Sequence, residues 1–501
     1  MSELRRNLLM AMNKTEPPIT KDYLTIVALE DGLTAKLSVN ACEYCVDGNG
    51  NWKALPANTE TETINAGQTL SFRGDLSPDS TNGIGTFTVN RLHNLKGNCM
   101  SLLFRDNGKE CFSLAGKNYA FNSLFNKNTK LISASELILP ATVLALGCYR
   151  NMFAGCTELT SAPVLLSTKM ENNCYSSMFY GCTALKTPPV LPATTLEIGC
   201  YSSMFNGCTA LNTAPVLPAI KMSVSCYRGM FGKCTALTTA PVLPATTMAA
   251  NCYDSMFYGC SSLKTVPKLS ATTLASNCLA YMFYGCSALT EAPTFQVTTM
   301  ADSCCNSMFY DCASLKTVST FITKDTVMAN SCCNQMFQNC ISLTKAPALS
   351  ATILASNCYK SMFKFCKALT EAPELPATTL MSNCCYDMFY SCIALTTAPI
   401  LPATVLAESC YNSMFRYCTS LTAAPVLLAT TLVANCYNLM FDGCSKVNYV
   451  KALFTTTPGS DYTDNWLRNV PIEGTFVKNK DATWNVVGVS GVPDGWTVIT
   501  E

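Results

Sequence analysis

An α/β repeat, wound as a solenoid of stacked coils, is the fold this sequence predicts, and three observations predict it. Cys148 recurs at Cys174, Cys200, Cys226, Cys252, Cys278 and Cys304, every 26 residues; one step of 28 reaches Cys332, and the period of 26 resumes through Cys358, Cys384, Cys410 and Cys436. A Met-Phe pair stands in each of these twelve units, from Met152-Phe153 to Met440-Phe441. A second cysteine follows the first by eight residues in each, and leucine follows that cysteine by three in eleven, with Val447 in the twelfth. No such unit buries its apolar face alone, so the units must stack into one core.

A period between roughly 20 and 29 with regularly placed leucines is the range of leucine-rich-repeat solenoids, here over residues 148–453. Within a unit, a short helix between the two cysteines, turning about 100° per residue, sets both cysteines, the first tyrosine, the methionine and the phenylalanine on one core-facing stripe. The Leu-Thr-x-Ala-Pro-x-Leu segment suits a strand of two or three residues, kept short because proline cannot donate to a ladder. A two-residue insertion falls within Thr320-Phe321-Ile322-Thr323-Lys324-Asp325-Thr326, where Ser319 replaces the recurring proline; it reads as a wider turn or a local bump.

The flanks follow. Residues 113–147 read as an N-terminal capping repeat: Phe125 precedes Leu131 as Phe153 precedes Leu159, and Asn128 stands where the second cysteine would be. Residues 22–112 read as an antiparallel, β-sandwich-like domain from runs such as Tyr23-Leu24-Thr25-Ile26-Val27 and Thr86-Phe87-Thr88-Val89 between Gly/Asn/Asp clusters. Residues 1–21 read as a short amphipathic helix and a linker at Glu16-Pro17-Pro18; the apolar run Leu8–Met12 is too short for an export signal. Residues 454–501, with three of the four tryptophans, read as a small C-terminal β cap.

Composition narrows the function. The 501 residues are 49% apolar and 13% charged, with a net charge of +1 and no basic run, which argues against nucleic acid and against a polybasic membrane patch. No stretch has the roughly 18 apolar residues of a membrane span. One histidine, His93, without a nucleophile motif nearby, reads as a surface or internally satisfied residue, and no catalytic residue is assigned. The 31 cysteines read as free, buried thiols packing as small apolar groups, with Cys305, Cys333 and Cys385 in the tyrosine position. The regular spacing lacks zinc knuckles; Cys42-Glu43-Tyr44-Cys45 stands alone and reads as structural, so neither metal nor cofactor is expected. Asp47-Gly48-Asn49-Gly50-Asn51 reads as a hairpin turn, because Asn58 stands where a calcium loop needs glutamate.

Binding candidates lie off the stripe. On the helical projection the residue after Met-Phe points away from the core, and it varies from Ala154 to Asp442. Tyr180, Tyr258, Tyr284, Tyr310 and Tyr390 occupy it, three of them in successive units. Tyrosine offers contact area and a hydroxyl at small entropic cost, which suits a strip for protein or glycan; shielding of the flank, or packing on a sister subunit in a homo-oligomer, is the competing reading.

The Met-Phe-x-Gly-Cys-x-x-Leu core resembles the bacterial surface leucine-rich repeats of the BspA-like type, over roughly residues 120–455. The resemblance implies a non-enzymatic adhesion or recognition module. Related repeats in phage proteins, together with an N-terminal helix, a β domain and a long array, imply a virion-surface or fibre protein made in the host cytoplasm. Such a protein would attach to other virion proteins through its N-terminal region and meet a protein or glycan on a bacterial surface. A bacterial cell-surface adhesin and a purely architectural spacer are the alternatives.

Overall fold

The computed structural model describes residues 23–294 and 296–501. The helix and linker expected over 1–21 lie outside the described residues. Two compact units divide the chain, one ending at Ser167 and the other beginning at Thr168.

The first unit is built on a six-stranded sheet in the order β4-β3-β5-β1-β7-β8, with β1 Leu24–Ala28, β3 Cys42–Val46, β4 Lys53–Leu55, β5 Thr69–Arg73, β7 His93–Asn98 and β8 Leu131–Ile138. A second, two-stranded sheet pairs β2 (Ala35–Leu37) with β6 (Phe87–Val89), Ala35 opposite Val89. Pairing is antiparallel from β4 to β7, but β7 and β8 run parallel, with His93 opposite Leu131. The strand of the capping repeat is therefore hydrogen-bonded directly to the β domain. Between β7 and that repeat lie one helix of four residues, α1 (Ser101–Phe104), and a 3-10 helix over Arg105–Glu110.

The repeats themselves contain no α-helix among the described residues, which corrects the helical half of the expected α/β repeat. Each cysteine-to-cysteine segment is a run of overlapping β-turns. In the unit at Cys174, every second amide closes a turn on the carbonyl three residues back: Cys174 to Glu171, Ser176 to Asn173, Met178 to Tyr175, Tyr180 to Ser177 and Cys182 to Phe179. The intervening amides donate to the next coil: Tyr175 to Cys200, Ser177 to Ser202, Phe179 to Met204 and Gly181 to Asn206, at 2.7–3.0 Å. Every fourth residue adopts positive φ, 54° at Asn173, 55° at Ser177 and 70° at Gly181. That places a left-handed residue third in alternate turns, as a type II turn requires. Every amide of this segment thus has a partner, half of them within the coil and half across coils.

Buried positions follow a four-residue beat. Cys174, Tyr175, Met178, Phe179 and Cys182 are all at most 2% exposed, and the same five positions are buried in the units that follow. In the second unit, eleven phenylalanines from Phe179 to Phe441 form one stack, with neighbouring ring centroids 5.4–5.8 Å apart and planes within 9°. The second cysteine does more than fill space. Its thiol donates to the carbonyl of the preceding coil's phenylalanine, Cys208 to Phe179 and on to Cys444 to Phe415, at 2.9–3.2 Å. Of the 31 cysteines, all but Cys111 are buried.

On the opposite side of the coil the proline-bearing segments meet through single-residue parallel bridges, such as Thr239 with Thr265, and Lys345 with Glu371 and Glu371 with Thr397. Longer pairing occurs where the two extra residues enter: β9 (Val297–Thr299) pairs in parallel with β10 (Ile322–Val327), and the register shift between Ile322 and Val327 absorbs the insertion as a bulge. Lys324 and Asp325 stand exposed at its tip.

The C-terminal region continues the winding. β11 (Tyr449–Ala452), β12 (Thr475–Lys478) and β13 (Thr497–Thr500) form a parallel sheet, with Val450, Phe476 and Val498 in line. Phe441 donates to Trp466 as Phe415 donates to Met440, and Asn465 and Asn469 carry positive φ. Trp466, 26 residues after Met440, ends the phenylalanine stack at 6.4 Å from Phe441. The indoles of Trp466, Trp484 and Trp496 are buried, and each donates its N–H to a carbonyl, of Gly491, Phe454 and Pro471 respectively.

Candidate binding surface

The turn run decides where the residue after Met-Phe points. It closes a turn on the residue three back, as Tyr258 does on Ser255 at 3.1 Å, and is followed by a left-handed residue, Gly259 at φ 69°. Successive coils then place equivalent side chains directly over one another.

Three of the five predicted tyrosines come together. Tyr258 and Tyr284 lie 5.0 Å apart at 23°, and Tyr284 and Tyr310 lie 4.7 Å apart at 5°. Tyr258 is 36% exposed and its two neighbours are partly so. The Gln338 amide donates to the Tyr310 hydroxyl at 3.3 Å. Partial burial, reinforced by nearby Asp311, raises the pKa of Tyr284 and Tyr310, so both phenols stay protonated as hydrogen-bond donors.

The other two stand apart. Tyr180 is 48% exposed, and two units with Asn206 and Gly232 in its position separate it from Tyr258. Tyr390 belongs to a cation–aromatic column: Lys364 Nζ sits 4.4 Å and Arg416 Cζ 5.7 Å from its ring centre, with Phe365 and Tyr417 edge-on. Arg416 continues to Asp442, a fully buried carboxylate that Arg468 also holds, at 2.9 and 2.8 Å.

The flank is not exposed throughout, as the helical projection expects. Ala154, Gln338 and Asp442 are buried, because side chains stacked one above another cover each other whatever their angle to the core. Sequence reasoning also missed Tyr281, 38% exposed and 6.2 Å from Tyr284, with Asn306 donating to its hydroxyl. Its signal is that tyrosine stands at a left-handed position that serine holds in six of the twelve units.

The remaining candidates are occupied structurally. His93 is fully buried; one ring nitrogen lies 2.9 Å from the Arg91 carbonyl and the other 3.3 Å from Asn128 Nδ2. Burial pushes its pKa down to about 4, so the ring is neutral, donating through Nδ1 and accepting through Nε2. Asn128 thus spends the second-cysteine position on holding this ring. Cys42 and Cys45 are buried on β3, and burial pushes the Cys42 thiol up to about 12. The Asp47 carboxylate accepts from the Thr69 amide and the Gln68 side chain, which fixes the turn. Among the described residues, no group of three or more His, Cys, Asp or Glu side chains is arranged to hold a metal ion, and no helix is long and apolar enough to cross a membrane. Beside the insertion, a groove of about 520 Å³ opens between Val327, Ile353 and Met381, all exposed.

Comparison with known proteins agrees with the repeat architecture. The model of the BspA type leucine rich repeat region matches in six copies, over residues 118–264, 227–369 and 280–422. No curated protein matches the chain. Among solved structures, a chain from the crystal structure of a TLR13–ssRNA13 complex is similar at 13% identity, covering 72% of this chain and 48% of that one, about half its length. Its TM-score of 0.22 is too loose a superposition to bear on fold or ligand.

Proposed function

Because this chain belongs to the BspA-type leucine-rich repeat family, we propose that it is a non-enzymatic recognition protein displayed on the surface of a bacterial virus, as part of a fibre. Its solenoid meets a bacterial surface through the flank of Tyr258, Tyr284 and Tyr310, and its N-terminal region joins other virion proteins. The observation that carries the recognition role is the stack itself. Three tyrosines on successive coils are held in register at 4.7–5.0 Å and still reach solvent. A core column would be buried, and a merely shielding flank has no need of matched hydroxyls.

Substituting Tyr258, Tyr284 and Tyr310 together by serine tests the role. Capture of bacterial cells by the immobilised full-length protein should fall at least tenfold, while Tyr180→Ser leaves it unchanged. Equal capture by the triple variant and the wild type would remove the tyrosine flank from recognition. Locating the protein on purified virions or on bacterial cells by immunogold labelling separates the fibre from a cell-surface adhesin.

A further inference from the structure

Four ionised side chains are buried among the described residues, and three of them have an opposite charge beside them. Asp254 meets Arg228 at 3.0 Å, Asp387 meets Lys364 at 2.7 Å, and Asp442 meets Arg416 and Arg468 at 2.9 and 2.8 Å. Lys478, 9% exposed, is the fourth, and no carboxylate among the described residues lies within ion-pair distance of its Nζ.

The sheet explains its place. On β12 the alternation of a strand puts Lys478 on the face of Phe476, which is fully buried. Its register neighbours are Ala452 on β11 and Thr500 on β13, neither of them charged. An ammonium has three N–H donors. Lys478 gives one to the Trp484 carbonyl at 2.9 Å and one to Asn485 Oδ1 at 3.1 Å, and sits 5.1 Å from the Trp484 ring centre. Its third donor has no partner among the described residues.

Lys478 lines a cavity of about 230 Å³ whose walls include Trp484, Val486, Val492, Trp496 and Val498. The N–H groups of Trp484 and Trp496 are spent on the Phe454 and Pro471 carbonyls, so neither indole has a donor left for the cavity. Asp494 also lines it, on its exposed side and beyond ion-pair distance of Lys478. Burying an ammonium without a counter-ion is costly, and an anion entering the cavity removes that cost.

We infer that this cavity binds a small monocarboxylate with an apolar body, its carboxylate on the Lys478 ammonium and its hydrocarbon or ring against Trp484 and Trp496. Three properties select that class. The volume lies below the roughly 300–1,000 Å³ of drug-sized pockets, so the ligand is small. One free donor among apolar walls does not replace the hydration of a dianion such as phosphate, whereas a carboxylate makes one charge-assisted bond while the rest of the molecule gains from leaving water. A second negative charge on the ligand would also meet Asp494. The site shares no residue with the tyrosine flank and does not depend on the recognition role.

Calorimetric titration of the full-length protein with hexanoate and with benzoate, each beside its neutral amide and with succinate as the dianion, tests the assignment. At least one of the two acids should saturate the protein one-to-one with a Kd of about 1 mM or tighter. Its amide should bind at least tenfold more weakly, the loss of one hydrogen bond to a charged group, and succinate should also bind more weakly. Lys478→Met keeps the apolar stem and should remove the advantage of the acid over the amide. Val498→Trp, at an exposed position on β13, fills the cavity without touching Lys478 and should abolish binding, which keeps the proposal testable if Lys478→Met fails to fold. No saturable heat from either acid up to about 10 mM overturns the proposal, as do equal binding of acid and amide and binding undiminished in Val498→Trp.

Discussion

A buried thiol and a buried phenol illustrate how one residue type is chosen over another inside a coil. Cys286 donates to the Phe257 carbonyl at 3.2 Å, which also accepts from the Cys260 amide at 3.0 Å, so Cys286→Ala deletes one hydrogen bond but leaves the acceptor paired; we expect a loss of about 0.5–1.5 kcal/mol by urea denaturation. The Tyr253 hydroxyl is buried without a partner within the protein, so Tyr253→Phe should change stability by less than about 0.5 kcal/mol. A larger loss would place an unseen acceptor at that hydroxyl. His93 makes the same point through pH. Its pKa drops from 6.5 to about 4 on folding, so between those values the unfolded chain binds the additional proton. Stability of the N-terminal unit therefore holds above about pH 6.5 and falls by roughly 3 kcal/mol on acidification to about pH 4. His93→Asn should flatten that part of the urea-midpoint profile, while the contribution of carboxylates below pH 4 remains.

At the scale of one element, the turn run replaces the expected helix because the two conformations bury the same residues. Pairs spaced by four satisfy a 3.6-residue period almost as well as a four-residue one, so hydrophobic patterning alone does not separate them. The distinguishing signal is in the polar residues: Asn173, Ser177 and Gly181, or Asn251, Ser255 and Gly259, mark left-handed positions four apart. Gly259 tests the reading without a steric complication, since the nearest atom to an added Cβ is Lys233 Cγ at 3.5 Å. Gly259→Ala should cost about 1–2 kcal/mol in thermal or urea unfolding, from the φ of 69° alone. In a helix the same substitution would stabilise by up to about 1 kcal/mol.

For the solenoid of the second unit as a whole, stability is a sum over neighbouring coils, because ring stacking, thiol bonds and amide bonds all link one coil to the next. A cavity at its middle should divide it. Phe283, stacked between Phe257 and Phe309, is fully buried, and Phe283→Ala should cost about 3–5 kcal/mol. Hydrogen exchange should then accelerate most in the coils flanking residue 283, with coils toward Phe441 keeping their protection. Uniform acceleration would contradict nearest-neighbour coupling.

The repeat number, the buried set and the position of the insertion were legible in the sequence, since each is a periodicity, and a periodicity is a property of the chain. The winding past Leu453 was not read from the sequence, where residues 454–501 show only a β cap, although Trp466 standing 26 residues after Met440 and Asn465 and Asn469 four apart carry its trace. Backbone conformation was not legible either, because about half of the amides in each turn run find their acceptors 25 to 27 residues away, and those bonds exist only after coils have stacked. The tyrosine column divides in the same way. Sequence named all five positions, but only the stacked structure decided that Tyr258, Tyr284 and Tyr310 share one surface while Tyr390 is taken up by Lys364 and Arg416. Contacts between columns depend on how each coil sits over the next, and that offset is set by tertiary packing.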